Sequence, residues 1–348
     1  TSPVGLMRVI QHGDEETKLL GVKGGHYDFL SSIEIALVDA ADVLLMQNWQ
    51  HVQTIFSYLN RTPKESHDAD FGRIRPWVLN EQGPVYRQNI VLSRYFTPEI
   101  SALLSNFGKN RNGVVRFEAY SGDEGDFEEK ESEGENETGK RVFEGIAVPA
   151  ILEVVPEVKQ VFLRIEGDKG EETLGEGGEL KKSVGVVTPD ERFNFFETQI
   201  YPRLKSVVQT RTVIFIPSYF DYVRVRDLFK QDKARVKYRV ITEYTKTGDI
   251  SRARTAFFEG KIDYLLTTER FHFHKRYFIR GIKNIYFYAP PSDPRFYRDY
   301  LNMMTSAEGL SSTTLYSDSD WFALKRVVGE KRAKLMLSSN QNVFAFSS

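Results

Sequence analysis

The sequence predicts an α/β protein of two doubly wound, parallel-sheet domains, the first incomplete at its N-terminus. Three observations carry this expectation. From residue 190 to the end, short apolar runs alternate with amphipathic runs of helical period, the order that builds a parallel sheet through helical crossovers. Residues 33–117 show the same alternation over a shorter span. Between the two blocks lies a run of acids and glycines with neither period, too polar to bury the surface that would offset its ordering entropy.

In the first block, Ile33–Val38 is an apolar strand. It leads into a helix, Val43–Asn60, whose apolar residues Val43, Met46, Val52, Ile55, Phe56 and Leu59 recur every three to four positions. A strand Asn89–Leu92 follows. Thr97-Pro98 then opens a second helix, as an N-cap with proline at the first helical position. A strand Gly113–Phe117 closes the block. Domain boundaries follow from these runs: 1–117 as part of the first domain, 118–142 as an acidic disordered insertion, 143–189 as the end of the first domain and a linker, and 190–348 as the second domain. The short strand Gln160–Ile165 falls in the third of these, and Gly167–Gly178 reads as a loop.

The second block is more regular. It reads as helix Asp190–Leu204, strand Thr212–Pro217, helix Tyr219–Lys230, strand Tyr238–Ile241, helix Ile250–Glu259 and strand Ile262–Thr267. A basic aromatic segment intervenes. Strand Asn284–Tyr288, a helix near Pro294–Met304 and a terminal helix Asp320–Leu337 complete it.

Composition bounds the function. A chain of 348 residues, 41% of them hydrophobic, fits two domains that each bury a core. No apolar run reaches the length of a membrane span, so no membrane partner is expected. The absence of cysteine excludes disulfides, thiol nucleophiles and cysteine-ligated zinc, and it fits a reducing compartment. The net charge of −1 hides a polarity: residues 1–190 carry 20 Lys and Arg against 32 Asp and Glu, residues 191–348 carry 27 against 16. The acidic insertion explains most of the first imbalance. The second suggests a face prepared for an anionic partner.

The chemistry-bearing corner of the first block is Val38-Asp39-Ala40-Ala41-Asp42, where a parallel strand runs into an acid. Open α/β sheets place their ligand chemistry at such strand ends. The stretch resembles the Asp-Glu-Ala-Asp corner of RNA helicases, in which the first acid holds Mg²⁺ and the Glu positions the attacking water. Ala40 stands where the Glu would be and can do neither. No Gly-x-x-x-x-Gly-Lys-Ser/Thr phosphate loop occurs, and no motif calls for a cofactor. In a nucleotide-binding fold that loop follows the first strand, expected upstream of Thr1.

In the second block, Ser251–Lys261 is a helix carrying Arg252 and Arg254, with Gly260 at its stop. Glu269–Arg280 interleaves Arg270, Lys275, Arg276 and Arg280 with Phe271, Phe273, Tyr277 and Phe278. Cations on an aromatic scaffold suit RNA, since they neutralise phosphate while rings stack on bases. The competing reading packs the rings into the core and leaves the cations solvated. His272 and His274 lack a third metal ligand of suitable character, and no histidine sits in a nucleophilic triad.

Several runs are similar to the U3 small-nucleolar-RNA-associated protein 25 family, also called digestive organ expansion factor. They are Phe29–Glu34, Val38-Asp39-x-Ala41-Asp42, Met46–Trp49, Arg192–Phe196, Ile216–Arg224, Thr268–Phe273 and Ile279–Asn284. The resemblance implies two RecA-like domains of the superfamily 2 helicase type in a nucleolar, non-catalytic member of the small-subunit processome. Such a protein serves 18S rRNA maturation with pre-rRNA, the U3 snoRNA-containing particle and processome proteins as partners. After Pro291, where helicases carry an arginine-rich helix, this chain reads Phe296–Met304, with Arg298 the one possible survivor. The alternative is an active RNA-dependent ATPase whose phosphate loop lies upstream. A third reading is an adaptor that binds only protein.

Overall fold

The computed structural model describes residues 1–20, 27–63, 72, 74–120, 144–146, 148–167, 173–174, 180–181, 186–206, 210–232, 236–304 and 309–347. These fall into two compact units, the first Thr1–Glu118 with Glu131–Glu144 and the second Ala119–Lys130 with Gly145–Ser348.

The first unit contains α1 (Pro3–Leu20), β1 (Ile35–Val38), α2 (Ala41–Met46), α3 (Trp49–Tyr58), the single turns α4 (Pro76–Leu79) and α5 (Gly83–Tyr86), β2 (Gln88–Val91) and α6 (Pro98–Phe107). Strands β1 and β2 run parallel, with Ile35 opposite Gln88 and Val38 opposite Val91. Strand side chains alternate between faces, so Ala36 and Val38 join a core with Ile10, Val52, Phe56, Ile100 and Leu103. Ile35 and Leu37 point to the other face and are exposed.

Thr97 caps α6 as its sequence position predicts, its Oγ1 accepting the Ile100 N–H at 3.4 Å. Two expectations are corrected here. The long helix Val43–Asn60 is two helices, because Asn48 is extended and its Oδ1 accepts the Gln50 N–H at 3.2 Å, starting α3 afresh. The strand Gly113–Phe117 does not form. Gly113 adopts φ 81 at the end of a turn, and Val114, Val115 and Phe117 are exposed on irregular backbone. A short strand β3 (Glu118–Tyr120) follows instead and pairs with β4 (Glu144–Ile146). Residues 121–143, nearly all of the expected acidic insertion, lie outside the described residues, as does most of Gly167–Gly178.

The second unit is built on a seven-stranded sheet. Its elements are β5 (Lys159–Arg164), the small ladder β6 (Thr173–Leu174) with β7 (Leu180–Lys181), α7 (Pro189–Phe195), α8 (Tyr201–Ser206), β8 (Thr212–Ile216), α9 (Tyr219–Gln231), β9 (Tyr238–Ile241), α10 (Thr247–Phe258), β10 (Tyr264–Thr268), α11 (Glu269–Lys275), β11 (Asn284–Phe287), α12 (Pro294–Asn302), β12 (Ser311–Tyr316), α13 (Trp321–Val328), α14 (Glu330–Ser338) and β13 (Val343–Ser347). A π-type turn, Phe196–Ile200, joins α7 to α8.

Strand order is β13-β5-β12-β11-β8-β10-β9, parallel except for β13, which runs antiparallel to β5. From β8 the chain goes out to β9 and back to β10, then crosses to β11 and β12. That reversal makes the sheet doubly wound, and β8 is buried along its whole length. Ile214 and Ile216 face Phe196, Ile200, Val225 and Phe229. Phe215, on the opposite face, meets Tyr300 and Phe287 at 5.1 and 5.3 Å between ring centroids.

Other features of this unit differ from the sequence expectation, among them the edge strand β13 and the helix α11, for which no element was expected. Strand β5, assigned above to the end of the first domain, pairs with β12 along Lys159↔Ser311 to Arg164↔Tyr316 and belongs to the second unit. The terminal helix Asp320–Leu337 is broken at Gly329, whose φ 94 and ψ 158 suit glycine alone. Strand β12 escaped notice because Ser-Ser-Thr-Thr reads as loop, although Ser312 and Thr314 are fully buried. Among the described residues, no helix is long and apolar enough to cross a membrane.

Candidate functional site: a degenerate strand end and a basic face

In the first unit, Asp39 leaves β1 exposed to solvent. Ala40 turns the chain with φ 50 and stands as N-cap of α2. Ala41 is buried, and its N–H donates to the Leu92 carbonyl at 2.9 Å. Asp42 is 2% exposed and is held by Arg94, which donates from Nε at 2.7 Å, from its backbone N–H at 3.3 Å and from a terminal guanidinium nitrogen. Asp42 therefore ties α2 to the segment after β2. Its partner Arg94 was not singled out from sequence, and 52 residues separate the two.

At the strand ends of the second unit, Thr268 caps α11 and donates from Oγ1 to Glu243 at 2.9 Å. Glu269 is fully buried. It accepts the Ser292 N–H at 2.8 Å, the Ser292 hydroxyl at 3.0 Å and the Asp293 N–H at 3.3 Å. Burial pushes its carboxyl up to about 7; the three donors oppose that shift and the nearby Asp293 charge adds to it. Nothing in an acid after Thr-Thr announced this burial.

Helix α12 buries Phe296, Tyr297, Tyr300 and Leu301. Its two arginines are engaged within the fold. Arg295 pairs with Asp293 at 2.7 Å, and Arg298 donates to both oxygens of Glu153 at 3.0 Å. The possible survivor of an arginine pair is thus a contact between α12 and the turn Ala150–Glu153.

The six cations singled out from sequence separate into groups. Arg254 lies 4.9 Å above the Tyr277 ring and donates to the Phe278 carbonyl. Arg280 lies 5.3 Å from the Phe258 ring. Lys275 and Arg276 are exposed beside them, with Arg276 ending α11 at φ 44. Phe258 and Phe278 are about half-exposed. Arg252 is exposed and paired with Asp249 at 2.5 Å, and Arg270 stands 3.8 Å from Glu243. Residues 252–261 and 274–283 together carry seven Lys and Arg against the single acid Glu259.

The aromatic scaffold is only partly the surface platform that the sequence allows. Phe271 is fully buried and stacks on Tyr277 at 6.0 Å. His272 is buried against Phe296 and Tyr300, with Nε2 3.3 Å from Asp299 Oδ2. Among the described residues, no group of three His, Asp or Glu that could hold a metal ion occurs. The exposed rings are Phe278 and, from α10, Phe258, which sequence reasoning passed over.

Family models match both units. Residues 1–115 match "UTP25, NTP hydrolase-like domain", and residues 150–346 match "Utp25, C-terminal domain". The chain belongs to the Utp25 family. The U3 small nucleolar RNA-associated protein 25 of Lodderomyces elongisporus is 35% identical over 355 residues, covering 99% of this chain and 41% of that protein. The Homo sapiens homolog is 36% identical over 350 residues, covering 99% and 40%. The chain thus spans about two-fifths of the length of these relatives. A DEAD box protein from Methanococcus jannaschii is similar at 13% identity and TM-score 0.36, over 92% of this chain and 61% of that one. The second unit is thus a doubly wound, mainly parallel α/β sheet, and the first carries an NTP hydrolase-like assignment. The second family match begins at residue 150, so it includes β5.

Proposed function

We propose that the chain is the helicase-like part of a non-catalytic ribosome-biogenesis factor. It holds pre-rRNA and the U3 snoRNA-containing particle within the nucleolar small-subunit processome during 18S rRNA maturation. The observation that carries this reading is the basic face of α10 and the 275–280 turn, where Arg254 and Arg280 lie over rings and Phe258 and Phe278 remain exposed. Clustered cations neutralise phosphate, and exposed rings beside guanidinium groups accept unpaired bases. The relatives' name, U3 small nucleolar RNA-associated protein, supports the choice of RNA.

The non-catalytic half rests on side chains. Ala40 carries no group that orients a water, Asp42 is occupied by Arg94, and Arg298 is occupied by Glu153. The test uses the full-length protein with a single-stranded pre-rRNA fragment. Replacing Lys275, Arg276 and Arg280 by Ala should weaken binding, and the slope of log K against log salt should fall by about 2, since each phosphate contact on a single strand contributes roughly 0.7. Unchanged affinity and slope would overturn the RNA assignment. RNA-stimulated phosphate release that disappears with Asp39→Ala would overturn the non-catalytic one and favour the ATPase.

A further inference from the structure

The seven-stranded sheet of the second unit ends in two edge strands, β9 and β13. Sheet edges present unpaired backbone groups, and natural sheets guard them with charged side chains, proline or bulges. Strand β9 is guarded, with Lys237 and Arg239 exposed along it. Strand β13 is not. Residues 338–348 read Ser-Ser-Asn-Gln-Asn-Val-Phe-Ala-Phe-Ser-Ser, without a charge or a proline.

Pairing with β5 determines which backbone groups of β13 are free. In an antiparallel pair, residues alternate between those that exchange both hydrogen bonds with the facing strand and those that turn both groups away. The Arg164 N–H donates to the Asn342 carbonyl at 2.8 Å, in the register that sets Val343 opposite Leu163. Phe344 and Phe346 therefore bond to β5, while Val343, Ala345 and Ser347 turn their N–H and C=O groups outward. Among the described residues, no strand pairs with that side. The same three residues are exposed, Val343 to 57%. Phe346 packs on Phe162 of β5 at 5.7 Å between ring centroids, which holds the edge in place.

Outward N–H and C=O groups at alternate positions match the backbone of another extended chain, which supplies the complementary row of acceptors and donors. On the facing strand, Lys159 is exposed opposite Ser347, and Arg164 is paired with Asp318 at 2.8 Å. Strand β13 itself offers no charge to pair with, so uncharged residues suit the added stretch. Size selects among extended chains. Five residues make an edge about 17 Å long, and a sheet layer is about 10 Å deep, so the edge covers roughly 170 Å² per partner. A stable dimer of folded domains needs about 800 Å² a side. The edge is too small to seat a second folded copy by itself. A linear segment can take the edge and continue over the adjoining face, where Val161 and Leu163 are half-buried and Val343 and Ala345 exposed.

We propose that β13 is a docking edge on which an extended, uncharged segment of a partner protein adds a further strand. Apolar side chains at alternate positions of that segment lie beside Val343 and Ala345. The site does not depend on the RNA reading and stands if that reading fails.

The test places p-benzoylphenylalanine at position 343 of the full-length protein in intact cells, with position 239 on the guarded edge as the control. The expected product is a crosslink from 343, and none from 239, to one uncharged protein segment of alternating apolar pattern. A synthetic peptide of that segment should slow hydrogen exchange at the Val343, Ala345 and Ser347 amides, which exchange freely without it. The Phe344 and Phe346 amides should be unaffected. Ala345→Pro removes one outward N–H and leaves the bonds to β5, so peptide binding should weaken at least about tenfold. Ala345→Lys adds a guarding charge without touching the backbone and should weaken binding in the same direction. Binding should not change with Lys275→Ala and Arg280→Ala. Crosslinking to RNA, crosslinking only to the protein's own sequence, yields at 343 no higher than at 239, outward amides already protected without peptide, or peptide binding indifferent to both Ala345 variants would each overturn the proposal.

Discussion

Glu269→Gln isolates the buried carboxyl at the strand ends of the second unit. In the unfolded chain this carboxyl releases its proton near the ordinary value of 4.5; folded, it holds the proton to about 7. The folded state therefore binds more protons across that window, and stability falls as pH rises. The contribution is fully present below about pH 4.5 and is lost as pH rises through about 7. At 1.36 kcal/mol per unit, the interval amounts to roughly 3 kcal/mol. Glutamine removes the charge and keeps the contacts. Its carbonyl oxygen still accepts the Ser292 and Asp293 N–H groups, and its amide can donate to the Ser292 hydroxyl, which accepts as readily as it donates. Urea unfolding at about pH 5, 6, 7 and 8 reads the effect. The variant should match the parent at about pH 5 and exceed it by about 2–3 kcal/mol at about pH 8. Parallel stability curves for the two proteins would refute the assignment of the slope to Glu269.

Other perturbations probe the remaining contacts. Arg94→Ala strands the buried Asp42 carboxylate and should cost about 2 kcal/mol in thermal unfolding, with part recovered when Asp42→Asn is added. Gly329→Ala forces a side chain into a backbone region reserved for glycine, so a loss of about 1–3 kcal/mol is expected by denaturant titration. Introducing an acid by Ala40→Glu in full-length protein should yield no RNA-stimulated phosphate release, because both arginines of α12 are committed to Asp293 and Glu153; turnover above the parent would contradict that account. Phe215→Ala, at the fully buried centre of the sheet, should destabilise by about 3–5 kcal/mol in the same titrations.

Much of the second unit was legible because its central strands β8 and β10 are buried along their whole length and read as largely apolar runs between helical patterns. Tyr238–Ile241 falls where the sequence puts it, and Thr212–Pro217 is one residue long at its end. The cap at Thr97 was legible because capping is a contact across three residues. Breaks inside helical patterns were not. Asn48 and Gly329 sit within sequences whose apolar period continues across them, so the pattern hides the interruption. Strand β12 was hidden by its hydroxyl side chains.

Sequence by itself determined which groups position 40 lacks and where charge accumulates. Ala40 has no carboxylate in any conformation, and seven cations in two short segments meet one acid whatever the fold. Only the tertiary structure decided which charges remain available. Asp42 and Arg94 are 52 residues apart and Glu153 and Arg298 are 145 apart, yet each pair is joined, while Phe271 and His272 turn inward and Phe258 and Phe278 stay exposed. Local chemistry is written along the chain. The pairing of distant groups follows from strand order and helix packing, which no local window of residues contains.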